Sequence, residues 1–384
     1  MGAKTHIEWT DATWNPFGGC SVFSRGCTNC YAMRIAGSGR LRNHPLYAGV
    51  TSPSKAGPVF NGRLTTAATD ADVWTWPTRW RGSKTPKRGA GQRSMIFVGD
   101  MADLFHEGRP DEVIDRVFAV MALSPQHDFQ VLTKRAARMR QYLSNFDEYS
   151  ITETDEWRSA SYRVACDDAP NGSAAWHNQT ARLEDAIGAS LGTLRQKKPL
   201  PNVWCGVSVE DQATADERIP LLLDTPAAKR FISAEPLLES VTIFDLDGPI
   251  DIPDGMESPL DWVIAGGESG PNDRPIRPMH PDWVRSLRDQ CAAADVPFFF
   301  KQWGEWTYVM KAGDPGFDEI PDCLPADTVP TRVYDGCIML PNGLRLEQYL
   351  GRDAYPPEAR CMVRVGKKAA GAMLDGREHR GFPA

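Results

Sequence analysis

Residues 94–133 read SMIFVGDMADLFHEGRPDEVIDRVFAVMALSPQHDFQVLT, and the order of patterns within them decides the fold class. The stretch opens on a near-continuous apolar run, Ser94–Gly99 (SMIFVG), and closes on another, Phe129–Thr133 (FQVLT). Runs without polar alternation suit strands covered on both faces, as in a parallel sheet. Between them, Pro110–Leu123 (PDEVIDRVFAVMAL) begins with proline and two acids and repeats its apolar residues at helical spacing. Strand, helix and strand in that order make one parallel crossover unit.

The alternation continues toward the C-terminus. Further apolar runs stand at Val203–Val209 (VWCGVSV), Arg230–Ser233 (RFIS), Trp262–Ala265 (WVIA) and Pro297–Phe300 (PFFF), and helical patterns at Arg135–Leu143, Ala213–Leu223 and His280–Ala294. Repetition on this scale predicts an α/β fold, a full or partial (β/α) barrel of parallel strands spanning residues 1–306. Three stretches interrupt it. Residues 79–93 (RWRGSKTPKRGAGQR) carry six basic residues and no acid; residues 146–200 are polar, with a helical pattern over Gln179–Leu194; residues 307–360 are rich in Pro, Gly and Asp with little periodicity. The first two read as inserted polar segments, and 307–384 as an irregular C-terminal extension packing on the barrel.

Composition narrows the class. With 384 residues, 41% hydrophobic and 24% charged, the chain has the make-up of a soluble globular protein. A formal net charge of −7 argues against coating nucleic acid through a generally basic surface and leaves a local basic groove open. No apolar run reaches the roughly 18 residues of a membrane span. The start, MGAKTHIEWTD, lacks the apolar region of a secretory signal and has His6 where a myristoylation motif has Ser or Thr. A cytoplasmic location without membrane partners is expected. Of nine cysteines, Cys166, Cys205, Cys291, Cys323, Cys337 and Cys361 are scattered singly and read as small buried hydrophobes or surface passengers. Cys20, Cys27 and Cys30 fall within eleven residues, which in a reducing compartment points to metal or redox chemistry before disulfides.

That cluster lies in Trp14–Ala32, WNPFGGCSVFSRGCTNCYA, with spacing C-x6-C-x2-C and with Gly18, Gly19 and Gly26 beside two of the cysteines. Three thiolates in a glycine-punctuated loop can hold a metal while backbone amides point at the sulfurs. From the residues alone two chemistries stay open. A zinc site needs a fourth ligand, for which His44 or His106 is available. A 4Fe-4S cluster on three cysteines leaves one iron without a protein ligand, open to substrate or cofactor.

The stretches IEWTDATWNP, GC-x6-C-x2-CYA, DLFHE, FQVLTKR, GVSVEDQ-x3-DERIPLLL, RFISAEPLL, DWVIAGGESG, PFFFKQWGEW and VGKKAAG-x3-DGRE resemble a phage-associated three-cysteine family of unknown function. Together with the predicted barrel, the three cysteines also resemble the radical S-adenosylmethionine (radical SAM) enzymes. The first cysteine interval here is six where that superfamily has three, and Asn29 precedes the last cysteine while Tyr31 follows it. The resemblance implies a 4Fe-4S cluster on Cys20, Cys27 and Cys30, with S-adenosylmethionine chelating the open iron. Reductive cleavage would yield a radical that abstracts a substrate hydrogen. It also implies an electron donor such as flavodoxin or ferredoxin and, if the chain is phage-encoded, the host cytoplasm.

In such barrels polar groups at the C-terminal strand ends serve the ligand, because the loops converge there. Asp100, with Asp103 and His106 beyond it, is placed to receive an ammonium; Lys134 and Arg135 a carboxylate or phosphate; Ser208 and Glu210 ribose hydroxyls. Glu235 and Glu268, the latter after Gly266–Gly267, and Lys301 with Gln302 complete the row. The GGESG turn suggests backbone approach to a ligand, and Trp303 and Trp306 a stacking platform or a lid. Trp74, Trp76 and Trp80 with the basic run 79–93 have the composition of a single-strand nucleic-acid groove, or of tryptophans packed on the barrel. A nucleobase or nucleotide in nucleic acid is accordingly the expected substrate. Tyr31 and Cys205 are candidate relays, and Lys367, Lys368 and Arg377 a surface patch. Competing readings are a zinc-stabilised nucleic-acid-binding or phage interaction module without turnover, and a non-radical SAM- or nucleotide-dependent transferase.

Overall fold

A computed structural model describes residues 5–68, 72–144, 199–244, 260–271, 274–311, 336–346 and 355–384. Seven strands, β1 (Ala12–Trp14), β2 (Ser94–Val98), β3 (His127–Thr133), β4 (Val203–Ser208), β5 (Lys229–Ala234), β6 (Trp262–Gly266) and β7 (Phe298–Gln302), hydrogen-bond in the order β1-β2-β3-β4-β5-β6-β7. Pairing is parallel, with Ile96 opposite Ala12 and Phe129, Val131 opposite Cys205, and Ile264 opposite Phe299. Sequential order is the winding of a (β/α) barrel, and the sheet is a parallel half barrel. Every residue of β2, β4 and β6 is buried, which is why their runs lack polar alternation. Within this sheet β1 is the strand the sequence reading missed, since three residues (ATW) are too few to show a period.

Among the described residues the α-helices are α1 (Tyr31–Ala36), α2 (Asp72–Arg79), α3 (Asp111–Ala122), α4 (Ala136–Ser144), α5 (Gln212–Leu223), α6 (Pro281–Ala293) and α7 (Lys367–Ala370). Pro110 caps α3 in an extended conformation (φ −61, ψ 144), and α3 buries Ile114, Val117, Phe118 and Met121, one helical face. His280 caps α6 by accepting from the Asp282 amide at 3.2 Å. No helix among the described residues is long and apolar enough to cross a membrane.

The chain forms two compact units. The first comprises Met1–Ser24, Cys30–Val207 and Pro220–Phe231. Its core includes Trp9, Trp14, Trp74 and Phe129, with Trp14 edge-on to Trp74 and Phe129. The second comprises Arg25–Asn29, Ser208–Ile219 and Ile232–Ala384. Besides β6 and β7 it holds a second sheet, antiparallel, of β8 (Trp306–Lys311), β9 (Gly336–Met339), β10 (Arg345–Leu346) and β11 (Arg360–Arg364), in the order β8-β11-β9-β10. This sheet falls largely where the sequence shows little periodicity. Its strands are short, β8 carries an irregularity between Tyr308 and Met310, and its pairings join distant segments. The helical pattern at Gln179–Leu194 and most of 146–200 lie outside the described residues.

A charged tie fastens the C-terminal tail to α6. Asp375, at φ 51, accepts from Arg285 at 2.7 Å and Arg288 at 2.5 Å, and Arg285 above all pulls its carboxyl down from 3.8 to about 2. A depressed carboxylate adds stability that is present above its unfolded value and lost as pH falls through its folded one. Asp375→Asn, which keeps a residue suited to positive φ, should therefore cost about 1 kcal/mol at pH 7 after solvent screening and almost nothing near pH 2. Urea unfolding at both pH values checks this, and equal losses would show that the ion pairs do not contribute.

Candidate functional site

The first unit holds Cys20 and Cys30. Cys20 follows the short strand Phe17–Gly18, which pairs with Thr65–Thr66. Gly19 turns the chain at φ +83, where a Cβ would run into the Arg63 carbonyl, so only glycine fits. Arg135 lies two residues past β3 and is buried. Its Nη1 donates to Asp103 at 2.9 Å and reaches the Cys20 Sγ at 3.8 Å, its Nη2 donates to the Ser21 hydroxyl at 2.9 Å, and its Nε to Glu107 at 2.9 Å. Its plane covers the Phe23 ring at 4.8 Å. Asp103, beyond β2, also accepts from the Thr133 hydroxyl at 2.7 Å. One guanidinium thus binds the start of the cysteine loop to the C-terminal ends of β2 and β3.

Electrostatics there favour a protonated Cys20. Burial, then Asp103, push the Cys20 thiol up to about 12, with Arg135 pulling the other way and Cys30 close enough to add to the rise. His106 meets the Ser21 hydroxyl through Nε2 at 2.9 Å and accepts the Gly108 amide at Nδ1, 3.1 Å; burial and Arg135 lower its pKa. His44 accepts the Leu46 amide at 3.2 Å. Both histidines that could complete a zinc site are engaged with the chain. Asp100 accepts from Asn15 at 2.5 Å, its carbonyl takes the Tyr31 hydroxyl at 2.7 Å, and burial raises its carboxyl pKa. Lys134 is half-buried, and its amide donates to Asp103 at 3.3 Å.

The second unit holds Cys27, in Arg25–Asn29. Gly26 packs on Glu210 so closely that a Cβ would sit 2.5 Å from its side chain. Glu210 is fully buried and paired with Arg218 at 3.0 Å, and Arg218 also donates to the Ser208 carbonyl at 2.8 Å. Glu268 is buried and pairs with the Arg277 guanidinium; it accepts from the Arg277 amide at 2.9 Å and from Asn29 Nδ2 at 3.0 Å. Arg277 also donates to the Arg25 carbonyl at 2.9 Å. Glu235 pairs with Lys301 at 2.9 Å and accepts from the Ser233 hydroxyl at 3.1 Å. Three strand-end acids expected to face a cofactor therefore hold cations of their own unit, and two of them buttress Arg25–Asn29. The sequence reading missed Arg218 and Arg277, which carry no local signal because their partners are set by tertiary contact.

Other expectations take a structural turn. A Cβ on Gly267 would run into the Trp303 carbonyl, and Gly304, at φ +87, presses on Glu268. Gly267 of GGESG serves the close approach of the chain's own Trp303–Gly304 backbone. Trp303 and Trp306 are buried and donate to the Met373 and Ile276 carbonyls at 2.8 Å each, so they pack and do not form an open stacking platform. Trp74 is buried under Arg116, at 4.4 Å; Trp76 stacks on Trp80 at 5.1 Å; Arg88 is paired with buried Asp128 and lies 5.0 Å over Trp204. Trp74 and Arg88 thus pack within their own unit, while Arg79, Arg81, Lys84, Lys87 and Arg93 of the basic run are exposed. Cys205, Cys291, Cys337 and Cys361 are buried as expected, while Cys166 and Cys323 lie outside the described residues.

The donor chemistry suits a thiophilic metal centre: Cys20, Cys27 and Cys30 are cysteines on one eleven-residue stretch, with a guanidinium against the first. Among the described residues no three His, Cys, Asp or Glu side chains are gathered closely enough to hold a metal ion. No curated protein and no solved structure matches the chain. One family model matches residues 4–383, nearly the whole chain. The chain belongs to that family, described as protein of unknown function (DUF5131).

Proposed function

We propose that the chain is an enzyme of the radical SAM type, with a 4Fe-4S cluster on Cys20, Cys27 and Cys30 and S-adenosylmethionine as cofactor. The observation that carries this reading is the anchoring of the cysteine stretch. Arg135 and Asp103 hold its start in the first unit, and Glu210 and Glu268 hold Arg25–Asn29 in the second. Arg135, Glu210 and Glu268 lie two residues, and Asp103 five, beyond the C-terminal ends of sheet strands, where α/β barrels place their chemistry. When bound, the reduced cluster and S-adenosylmethionine supply an electron and a carbon radical that abstracts hydrogen.

The chain's own residues have separable tasks. Arg135 orients Cys20 and offsets the negative charge of thiolates. The protonated Cys20 gives up its proton on metal binding, which makes loading pH-dependent. Asp100, oriented by Asn15, offers a carboxylate to the ammonium of an amino-acid moiety. An external donor such as flavodoxin or ferredoxin would supply the electron, and a reducing cytoplasm would keep the thiols free.

Anaerobic purification with iron and sulfide analysis tests the reading. We expect iron and sulfide in equal amounts, a charge-transfer absorption that dithionite bleaches, and 5′-deoxyadenosine released on adding S-adenosylmethionine. Cys20→Ala, Cys27→Ala and Cys30→Ala should each lose most of the iron. Stoichiometric zinc without iron would instead indicate a structural site, and methyl transfer without 5′-deoxyadenosine a non-radical transferase.

A further inference from the structure

Residues 12–69 contain six basic residues, Arg25, Arg34, Arg40, Arg42, Lys55 and Arg63, and no Asp or Glu, in a chain whose formal net charge is −7. Such local charge, opposite in sign to the whole, marks a surface for a polyanion. In the first unit Arg34, Arg40, Arg42, Lys55 and Arg63 are all exposed. Arg63 is held beside the cysteine loop, because the Gly62 amide donates to the Cys20 carbonyl at 3.1 Å and Ser21 bridges to Asn61. Arg34 stands one helical turn from Tyr31 on α1.

The same strip carries most of the large apolar exposure of this unit: Val22 at 53%, Phe23 at 42% and Tyr31 at 39%. Neither ring is loose. Phe23 backs onto the Arg135 guanidinium at 4.8 Å, and the Tyr31 hydroxyl is fixed on the Asp100 carbonyl at 2.7 Å. Held, exposed rings in a segment rich in exposed arginines are what a single nucleic-acid strand uses, bases stacking and phosphates pairing. A run of carboxylates such as polyglutamate would match the charge but present no rings to stack. We propose that this strip of the first unit, Phe23 and Tyr31 with Arg34, Arg40, Arg42 and Arg63, docks single-stranded nucleic acid. That a nucleic-acid strand is then the substrate class rests on the radical SAM reading; the docking does not.

Fluorescence anisotropy of a labelled oligothymidylate, titrated with the full chain over a range of salt, tests it. We expect binding that weakens steeply with salt and prefers the single strand to a duplex. The triple variant Arg34→Gln/Arg40→Gln/Arg42→Gln should flatten the log–log salt slope by about 2, at about 0.7 per phosphate contact. Phe23→Ala should weaken binding about tenfold at unchanged slope. Iron content should not change in the triple variant, and Cys20→Ala should still bind the oligonucleotide, so failure of the cluster reading and failure of the docking are told apart. No binding, equal binding of polyglutamate, a preference for duplex, or affinity indifferent to all four substitutions would each overturn the proposal.

Discussion

Arg135→Met should lower the unfolding free energy by about 3–5 kcal/mol, the range for removing one partner of a buried ion pair. The substitution leaves Asp103 buried without its cation and takes from Ser21 and Glu107 a donor each. The loss arises mainly from the orphaned carboxylate, so the double variant Asp103→Asn/Arg135→Met should recover a large part of it, while the cysteine loop stays detached. Denaturant unfolding of the wild type, both single variants and the double variant measures the coupling. A double variant as unstable as Arg135→Met would show that the charge pair is not the source. If the loop is a cluster site, iron retention should fall in the double variant even where stability returns, which separates the guanidinium's service to Cys20 from its service to the fold.

Gly267→Ala should be nearly as costly, about 3 kcal/mol, the upper part of the range for overpacking a core. The added methyl meets the Trp303 carbonyl, a backbone atom that cannot turn aside as a side-chain end would. Trp303 is itself pinned through its indole to Met373 and through its amide to the Gly371 carbonyl. Gly39→Ala, where a Cβ meets nothing within 4 Å, is the control and should fall within about 0.5 kcal/mol of wild type. A Gly267→Ala protein as stable as that control would mean that the 267 and 303 backbones can part cheaply, reopening the turn to a ligand.

Both substitutions bear on how much of the molecule could be read from its residues. The apolar runs at 94–99, 129–133, 203–209, 230–233, 262–265 and 297–300 all became strands of the parallel sheet, and the helix starts at Pro110 and His280 fell within a residue of their predicted places. These were legible because burial on both faces and helical periodicity act over neighbouring residues. The antiparallel sheet of 306–364 was not, since β9 and β11 match residues such as Ile338 and Cys361 that no short window contains together. The tryptophans at 74, 76 and 80 and the cations at 79–93 have one composition whether they face a ligand or their own sheet, and only the fold tells that Trp74 is buried while five of the six cations are exposed.

The candidate site divides the same way. Composition and spacing already named three thiols on one short stretch and a row of polar residues after the strands, because both are properties of consecutive residues. Which acid faces which base was settled by folding alone: Glu210 on Arg218, Glu268 on Arg277 and Asp103 on Arg135 lie eight, nine and thirty-two residues apart. A carboxylate taken out of water must find a cation or a donor, and its choice depends on which side chains the folded backbone brings within about 3 Å, a distance that no order of letters states.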